Sequence, residues 1–197
     1  MNSDKLIQFL QGSGQINSQK AAEIAGYFSP RAIGKNEFLL QAGKVSNEYL
    51  FLDKGFMRAF AFDTEGNDVT TGFYGAGQVV FEVSSFFNRT PSQENMQALS
   101  DCEGWSITFQ ELNNLFHAMP EFREFGRGVL VRGFSALKMR MLSMITETAE
   151  ERYANLLKNR PDILQQAPLK HIASYLGITD TSLSRIRKEF ARYESLA

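Results

Sequence analysis

Side chains able to contact a charged, hydrogen-bonding partner are concentrated near the end of the chain. Within residues 179–188 they are hydroxyls, cations and one carboxylate: Thr179, Asp180, Thr181, Ser182, Ser184, Arg185, Arg187 and Lys188. Hydroxyl and guanidinium groups suit base edges and phosphates in a DNA major groove. Residues 168–192 hold five basic residues against two acidic ones, a local charge of +3, whereas the whole chain carries −1. The stretch therefore predicts a surface that binds double-stranded DNA.

Two short helices are predicted to position these side chains. Ile172 and Leu176 are four residues apart, so they share one face of a helix that a glycine then ends. Residues 179–182 offer caps for a second helix, whose inner face is Leu183 and Ile186. This spacing is typical of a helix-turn-helix, which places its second helix in the major groove. An ordinary helical hairpin with a solvated basic face is the alternative.

Before these helices, residues 31–108 change to short strand-like runs with glycine-containing breaks. The runs are residues 37–41, 48–52, 56–62, 68–74, 79–82, 96–99 and 103–108. Short strands at this spacing predict an antiparallel β unit that is closed or sandwiched. We interpret the many phenylalanines in this segment as its core.

A long helix is predicted over residues 120–146, and its apolar residues form two stripes. One stripe is expected to cover the β unit: Leu130, Phe134, Leu137, Met141 and Ile145. The other is close to a 3.5-residue repeat and is expected to form a dimer interface: Phe122, Phe125, Val129, Ala136, Met139 and Ser143. A helix with two apolar stripes needs two partners, and the second is most simply a second copy of the chain.

The sequence lacks the residues that several classes of function require. The β segment contains no histidine, and we find no nucleophile elbow, no phosphate-binding glycine loop and no His/Cys set with metal-ligand spacing, so we predict neither a catalytic nor a metal site. Cys102 is the only cysteine, which excludes an intrachain disulfide. No apolar run reaches membrane-spanning length and the N-terminus does not resemble a signal peptide. A cytoplasmic protein with no membrane partner is expected.

The order of these elements resembles the Crp/Fnr superfamily of bacterial transcription regulators over nearly the whole chain. The matching motifs are residues 37–43, 49–55, 65–70 and 173–179. The resemblance implies an α+β fold: an antiparallel double-stranded β-helix, or jelly-roll-like β-roll, with flanking helices, a long dimerisation helix and a C-terminal helix-turn-helix domain. We expect a cyclic-nucleotide-binding-like domain over residues 1–119, the dimerisation helix over 120–147 and the DNA-binding domain over 148–197.

The resemblance also implies a function. It implies a homodimer that reads a palindromic DNA site through the helix at residues 179–192, with RNA polymerase as a further partner. Arg185 matches the position where the family commonly places a base-contacting arginine, whereas Asp180 and Thr181 differ from the usual flanking residues. The alternative is a ligand- or protein-binding β-roll module whose helix-turn-helix no longer reads DNA.

Two departures from the family pattern affect these expectations. Members that bind cyclic AMP have a Gly-Glu pair for the ribose and an arginine for the phosphate, but here Phe81-Glu82 keeps only the glutamate and Arg89 is out of register. A buried phosphate without a cation is costly, so we predict no tight binding of cyclic AMP. A pocket for an unknown effector is placed at Phe81, Glu82, Ser92 and Asn95. Five residues after Arg192 leave no room for the usual β-hairpin wing.

Other cofactors of the superfamily are not expected. An iron–sulfur cluster needs several cysteines, which a single cysteine excludes. Haem would need a ligand such as His117 or His171, but His117 precedes a helix boundary and His171 is expected at the surface. We therefore predict no haem.

Overall fold

The computed structural model describes residues 2–12 and 14–194. Nine helices and eight strands lie in this part of the chain. The order is α1 (Asp4–Gln11), α2 (Ser18–Ala25), β1 (Ser29–Ile33), β2 (Phe38–Leu40), β3 (Glu48–Lys54), β4 (Met57–Phe62), β5 (Asp68–Tyr74), β6 (Val79–Val80), α3 (Val83–Asn88), β7 (Asn95–Ala98), β8 (Cys102–Thr108), α4 (Phe109–Ala118), α5 (Pro120–Thr146), α6 (Ala149–Asn159), α7 (Pro161–Gln166), α8 (Leu169–Tyr175) and α9 (Asp180–Glu194).

The strands form two four-stranded antiparallel sheets. The first has the order β1-β8-β3-β6 and the second β2-β7-β4-β5. An apolar core between them contains Leu50, Leu52, Met57, Met96 and Val80, all of which are buried. The predicted antiparallel β unit is confirmed, because each of the seven runs contains a strand.

Two elements were not expected from the sequence. Strand β1 contains Pro30, a residue that usually interrupts a strand, but β1 is the edge of its sheet and a missing N–H is tolerated there. Helix α3 begins where the Glu82 carboxylate accepts hydrogen bonds from the amides of Ser84 and Ser85. This cap stabilises a helix too short to show periodicity.

A second core joins the N-terminal helices, the first sheet, α4 and the start of α5. Phe122 and Phe125 of α5 are buried in it, and Phe125 meets Phe9 of α1 edge to face at 5.3 Å between ring centroids. Gly126 permits this packing, since a Cβ there would lie 2.6 Å from the ring of Phe116. The first two turns of α5 are therefore fixed on their own subunit.

The two stripes of α5 do not pack as predicted, although Ala136 and Met139 of the stripe expected at the dimer interface are exposed. The stripe expected to cover the β unit is exposed, with Phe134 at 70 %, Leu137 at 62 % and Ile145 at 72 %. In the stripe expected at the dimer interface, Phe122 and Phe125 are buried within the subunit and Val129 packs against the same core. The interface assignment of those three residues is corrected, because the α1 and α4 aromatics already cover them.

The C-terminal helices enclose a third core that also includes part of the second sheet. Phe56 and Phe73 of the β unit share it with Tyr153, Leu156 and Ile163 of α6 and α7. Among the described residues, no helix combines the length and apolarity needed to cross a bilayer. The expectation of a missing wing concerns residues 193–197, and 195–197 lie outside the described part.

Candidate nucleic-acid interface

Helices α8 and α9 form the predicted helix-turn-helix. Gly177 has φ of +69°, a left-handed conformation that glycine adopts at low cost. The amide of Ile178 donates to the Ala173 carbonyl at 3.0 Å, and that of Gly177 donates to the Ser174 carbonyl at 3.0 Å. These bonds close the end of α8 and turn the chain into α9.

The inner faces of the two helices pack together as the sequence predicts. Ile172, Ala173 and Leu176 of α8 are buried, as are Leu183 and Ile186 of α9. These residues belong to the core shared with α6 and α7. The orientation of α9 about its own axis is therefore set by its apolar face.

The predicted reading residues lie away from this core. On a helix with 3.6 residues per turn, Thr181, Ser184, Arg185 and Lys188 share one face, opposite Leu183. All four are exposed. We call them the outer face of α9. Arg187 is exposed beside this face, and Arg192 is exposed on it one turn further along.

Two of the predicted contact residues have a local structural role. The Thr179 hydroxyl accepts a hydrogen bond from the Ser182 amide at 3.2 Å, and the two hydroxyls lie 3.0 Å apart. Thr179 therefore caps the start of α9. Asp180 follows in the first turn and is exposed, where a carboxylate is favoured by the helix dipole.

The outer face presents cations that its own subunit does not neutralise. Within the described residues, Arg185, Arg187 and Lys188 take part in no ion pair. Beside them, a groove of about 460 Å³ separates α9 from α6 and has Tyr153, Leu157 and Phe190 in its lining. The arrangement can donate hydrogen bonds and positive charge to a polyanion.

Arginines that bind backbone carbonyls hold the helix-turn-helix to the rest of the subunit. Arg140 of α5 donates to the carbonyls of Thr71 at 2.8 Å and Tyr175 at 3.0 Å, and it stacks over the Tyr175 ring. Arg152 of α6 donates to the Leu176 carbonyl at 3.0 Å. The sequence gives no indication of these roles, because each joins elements that only the fold brings together.

Of the four residues predicted for an effector pocket, Glu82, Ser92 and Asn95 line neither the groove beside α9 nor the cavity next to Phe81. A cavity of only about 10 Å³ lies among aromatic side chains, and Phe81 alone of the four lines it, together with Tyr49, Phe87 and Phe122. This volume is about that of one water molecule.

The polar members of the predicted pocket are bound locally. The Glu82 carboxylate caps α3, as described above, and the Ser92 hydroxyl donates to the Glu94 carbonyl at 2.8 Å. The Asn95 side-chain oxygen accepts from the Ala42 amide at 3.0 Å. Glu82, Ser92 and the Asn95 oxygen are thus used in turns or caps, whereas the Asn95 side-chain nitrogen is buried and has no hydrogen-bond partner among the described residues.

Arg89, the cation nearest in sequence to Glu82 and Ser92, is also occupied. Its guanidinium donates to the carbonyls of Ser46 and Phe86 and to the side chain of Asn47, and it stacks over Phe109. A phosphate would have to compete with these contacts.

The two histidines occupy different environments. His117 is exposed at the end of α4. His171 is only 5 % exposed, so the expectation of a surface position was wrong: its ring is covered by β4 and β5. Within the described part of the chain, no group of three or more metal-binding side chains is assembled. Cys102 is a free, buried thiol.

The amino-acid sequence is similar to a known domain family and to two transcription regulators. The family model of the cyclic nucleotide-binding domain matches residues 30–118. Transcriptional activator protein Anr of Pseudomonas protegens is 26 % identical over 179 residues, which cover 85 % of this chain and 72 % of that protein. The fumarate and nitrate reduction regulatory protein of Escherichia coli K12 is 23 % identical over 85 % of this chain and 70 % of its own length.

The architecture is also similar to that of solved proteins. FixK2 from Bradyrhizobium japonicum superposes with a TM-score of 0.74 at 16 % identity, covering 85 % of this chain and 86 % of that one. The two proteins therefore share a fold over most of this chain.

Proposed function

We propose that this chain, as a member of the Crp/Fnr superfamily of transcription regulators, forms a homodimer. The dimer reads a palindromic DNA site through α9. As a regulator it would work in the cytoplasm and act on RNA polymerase at the promoters that it binds. The similarity to transcription regulators supports a binding function, and we propose no catalytic residues.

The observation that carries this proposal is the division of α9 into two faces. One face is fixed in the apolar core, and the outer face exposes hydroxyls and cations that lack ion-pair partners within the described residues. Such a face can enter a major groove without disturbing the packing of the subunit. Thr181, Ser184 and Arg185 are the proposed base-contacting residues, and Arg187 and Lys188 the proposed phosphate contacts.

The exposed stripe of α5 supports the dimer. Leu130, Phe134, Leu137, Met141 and Ile145 are exposed on one helix at spacings of three and four residues. Such spacing forms a coiled-coil seam when two helices pair, and a continuous apolar stripe is unfavourable in water. We therefore propose these five residues as the dimer interface in place of Phe122, Phe125 and Val129, which pack within the subunit.

Cyclic AMP fits the β-roll poorly. Aromatic side chains fill the region around Phe81, and residues 90–95 contain no arginine that could bind the phosphate. We propose that the protein does not bind cyclic AMP tightly. An effector, if one is used, would enter by displacing aromatic side chains and would be largely apolar.

Selection of duplexes from a random pool by the purified full chain tests the proposed function. We expect enrichment of a palindrome whose half-sites are about one helical turn apart. Binding that is lost at moderate salt without enriching any sequence would contradict it and favour a β-roll module that does not read DNA.

A further inference from the structure

A polar cluster joins the helix-turn-helix to the second sheet at a distance from the DNA-facing surface. Helix α8 packs against β5, and the Thr70 amide of β5 donates to the Ser174 hydroxyl of α8 at 3.1 Å. The same helices also share an apolar core with Phe56 and Phe73 of the β unit. The helix-turn-helix is thus attached to the second sheet by both apolar and polar contacts.

Arg58 of β4 lies at the centre of this cluster. Its side chain is only 5 % exposed, and its guanidinium contacts three polar side chains. One nitrogen lies 2.6 Å from Nδ1 of His171, and another donates to Asp68 at 2.8 Å and to Gln97 at 3.2 Å. The guanidinium also stacks on Phe60, with 4.0 Å from its carbon to the ring centroid. A planar group held on several sides has one orientation, and it imposes that orientation on His171.

The contact leaves the DNA surface open. His171 belongs to α8, whereas the outer face of α9 is exposed, so the cluster does not block the proposed reading residues. An occluding, autoinhibitory role is therefore excluded for this arrangement. What the cluster can do is fix the direction in which α9 points relative to the sheet and to α5.

We propose that Arg58 is a positioning residue for DNA recognition and that it acts through His171 of α8. This inference rests on the proposed function. In a dimer, once one helix-turn-helix has bound its half-site, binding of the other half-site is intramolecular. The strength of this second binding step depends on whether the second helix-turn-helix is held in the correct position. A helix-turn-helix that Arg58 already holds in place loses little conformational entropy on binding DNA, whereas a loosely attached one loses more.

The test compares duplexes with two half-sites and with one, taken from the selected palindrome. Arg58→Met and His171→Leu each remove the contact, and we expect each to weaken binding to the two-half-site duplex by about tenfold or more. Binding to the single half-site should stay within about twofold, because the outer face of α9 is unchanged. His171→Asn keeps an acceptor near the position of Nδ1 and should retain most of the two-half-site affinity.

Hydrogen exchange of the Thr70 amide provides a second readout that does not depend on DNA. This amide donates across the contact, so its exchange should accelerate in Arg58→Met and His171→Leu. Arg31→Met is the matched control: Arg31 pairs with Glu48 at 3.0 Å on the other sheet, and its loss should change neither readout.

The outcomes separate this inference from the proposed function. Faster Thr70 exchange with unchanged two-half-site binding would overturn the positioning role, as would an equal loss on both duplexes. Wild-type protein that binds no duplex would instead refute the proposed function and the positioning role with it. Loss confined to the two-half-site duplex, together with faster exchange, supports the inference.

Discussion

Arg185 and Lys188 share the outer face of α9, but their chemistry suits different parts of a duplex. The Arg185 guanidinium can donate two parallel hydrogen bonds to a guanine edge, a geometry that discriminates between bases. The Lys188 ammonium is a point charge on a flexible stem and suits a phosphate. Both are exposed, so neither substitution should disturb the core.

Arg185→Ala should therefore reduce base preference at one position by about 1–3 kcal/mol. Lys188→Ala, the matched control, should weaken binding to all duplexes by a similar factor and lower the salt dependence. Titration of the selected palindrome and of single-base variants measures both effects. A sequence-specific loss in Lys188→Ala, or a uniform loss in Arg185→Ala, would reverse the two assignments.

His171 is the residue whose protonation state most directly affects the contact between the helix-turn-helix and the sheet. Burial and the neighbouring Arg58 lower the pKa of His171 from its ordinary value to about 4. Asp68 on β5 and Asp180 on α9 act in the opposite direction, and Lys170 on α8 acts with Arg58. Nδ1 of the neutral ring can accept a hydrogen bond from the Arg58 guanidinium. Protonation of Nδ1 would remove this hydrogen bond, because two donors would then face each other.

The sign of the pH dependence follows from this lowered pKa. A released His171 would titrate near 6.5, so the contact is fully stable above that pH and weakens as the pH falls toward 4. We expect the affinity of wild-type protein for the two-half-site duplex to fall between about pH 7 and about pH 5. His171→Asn, which does not titrate, should show a flatter profile. Parallel profiles for the two proteins would contradict this role of His171.

At the scale of elements, the turn between α8 and α9 depends on one backbone conformation and one close contact. Gly177 has positive φ, and a Cβ at this position would lie 2.5 Å from the terminal methyl of Met144 on α5. Gly66, in the β4–β5 hairpin, has φ of +85° with open space around the same position. An alanine at Gly66 therefore has only the conformational cost of positive φ, whereas an alanine at Gly177 has this cost and a steric one.

Gly66→Ala should lower the free energy of unfolding by about 1 kcal/mol, the cost of a left-handed alanine. Gly177→Ala should lower it slightly further, because the terminal methyl of Met144, the end of a flexible and partly exposed side chain, must also move. Chemical denaturation of both variants measures the difference. Equal losses would show that Met144 adapts without cost and that only backbone conformation is at issue at Gly177.

For the whole molecule, α5 connects three parts: its first turns pack in the N-terminal core, its Arg140 binds β5 and α8, and its exposed stripe has no partner within the described subunit. A second copy can cover this stripe by forming a coiled coil about a two-fold axis. The proposed dimer and the position of the reading helices therefore depend on the same helix.

Phe134→Glu should convert the dimer to monomer, because two carboxylates would meet in an apolar seam. Ala136→Glu is the matched control: Ala136 is exposed on the opposite side of α5 and belongs to the interface predicted from the sequence. Light scattering should give a dimer for Ala136→Glu and a monomer for Phe134→Glu. The reverse result would restore the original interface assignment.

Features determined by neighbouring residues could be predicted from the sequence. The helix-turn-helix depends on apolar spacing and one glycine within about twenty residues. Thr148 and Glu151 have the spacing of a capping box, and they form one at the start of α6. The strands of the β unit follow from local alternation and glycine breaks. The expected outer face of α9 is exposed, because an amphipathic helix has one apolar side to bury.

Features that depend on contacts between distant residues were decided only by the tertiary structure. Both stripes of α5 are apolar, so periodicity could not show that Phe122 packs under Phe116 while Phe134 stays exposed. His171 and Arg58 are 113 positions apart, and no local pattern connects them. The sequence determined the elements and their apolar faces, whereas the fold decided which face each partner covers, because burial depends on the surfaces that the rest of the chain leaves available.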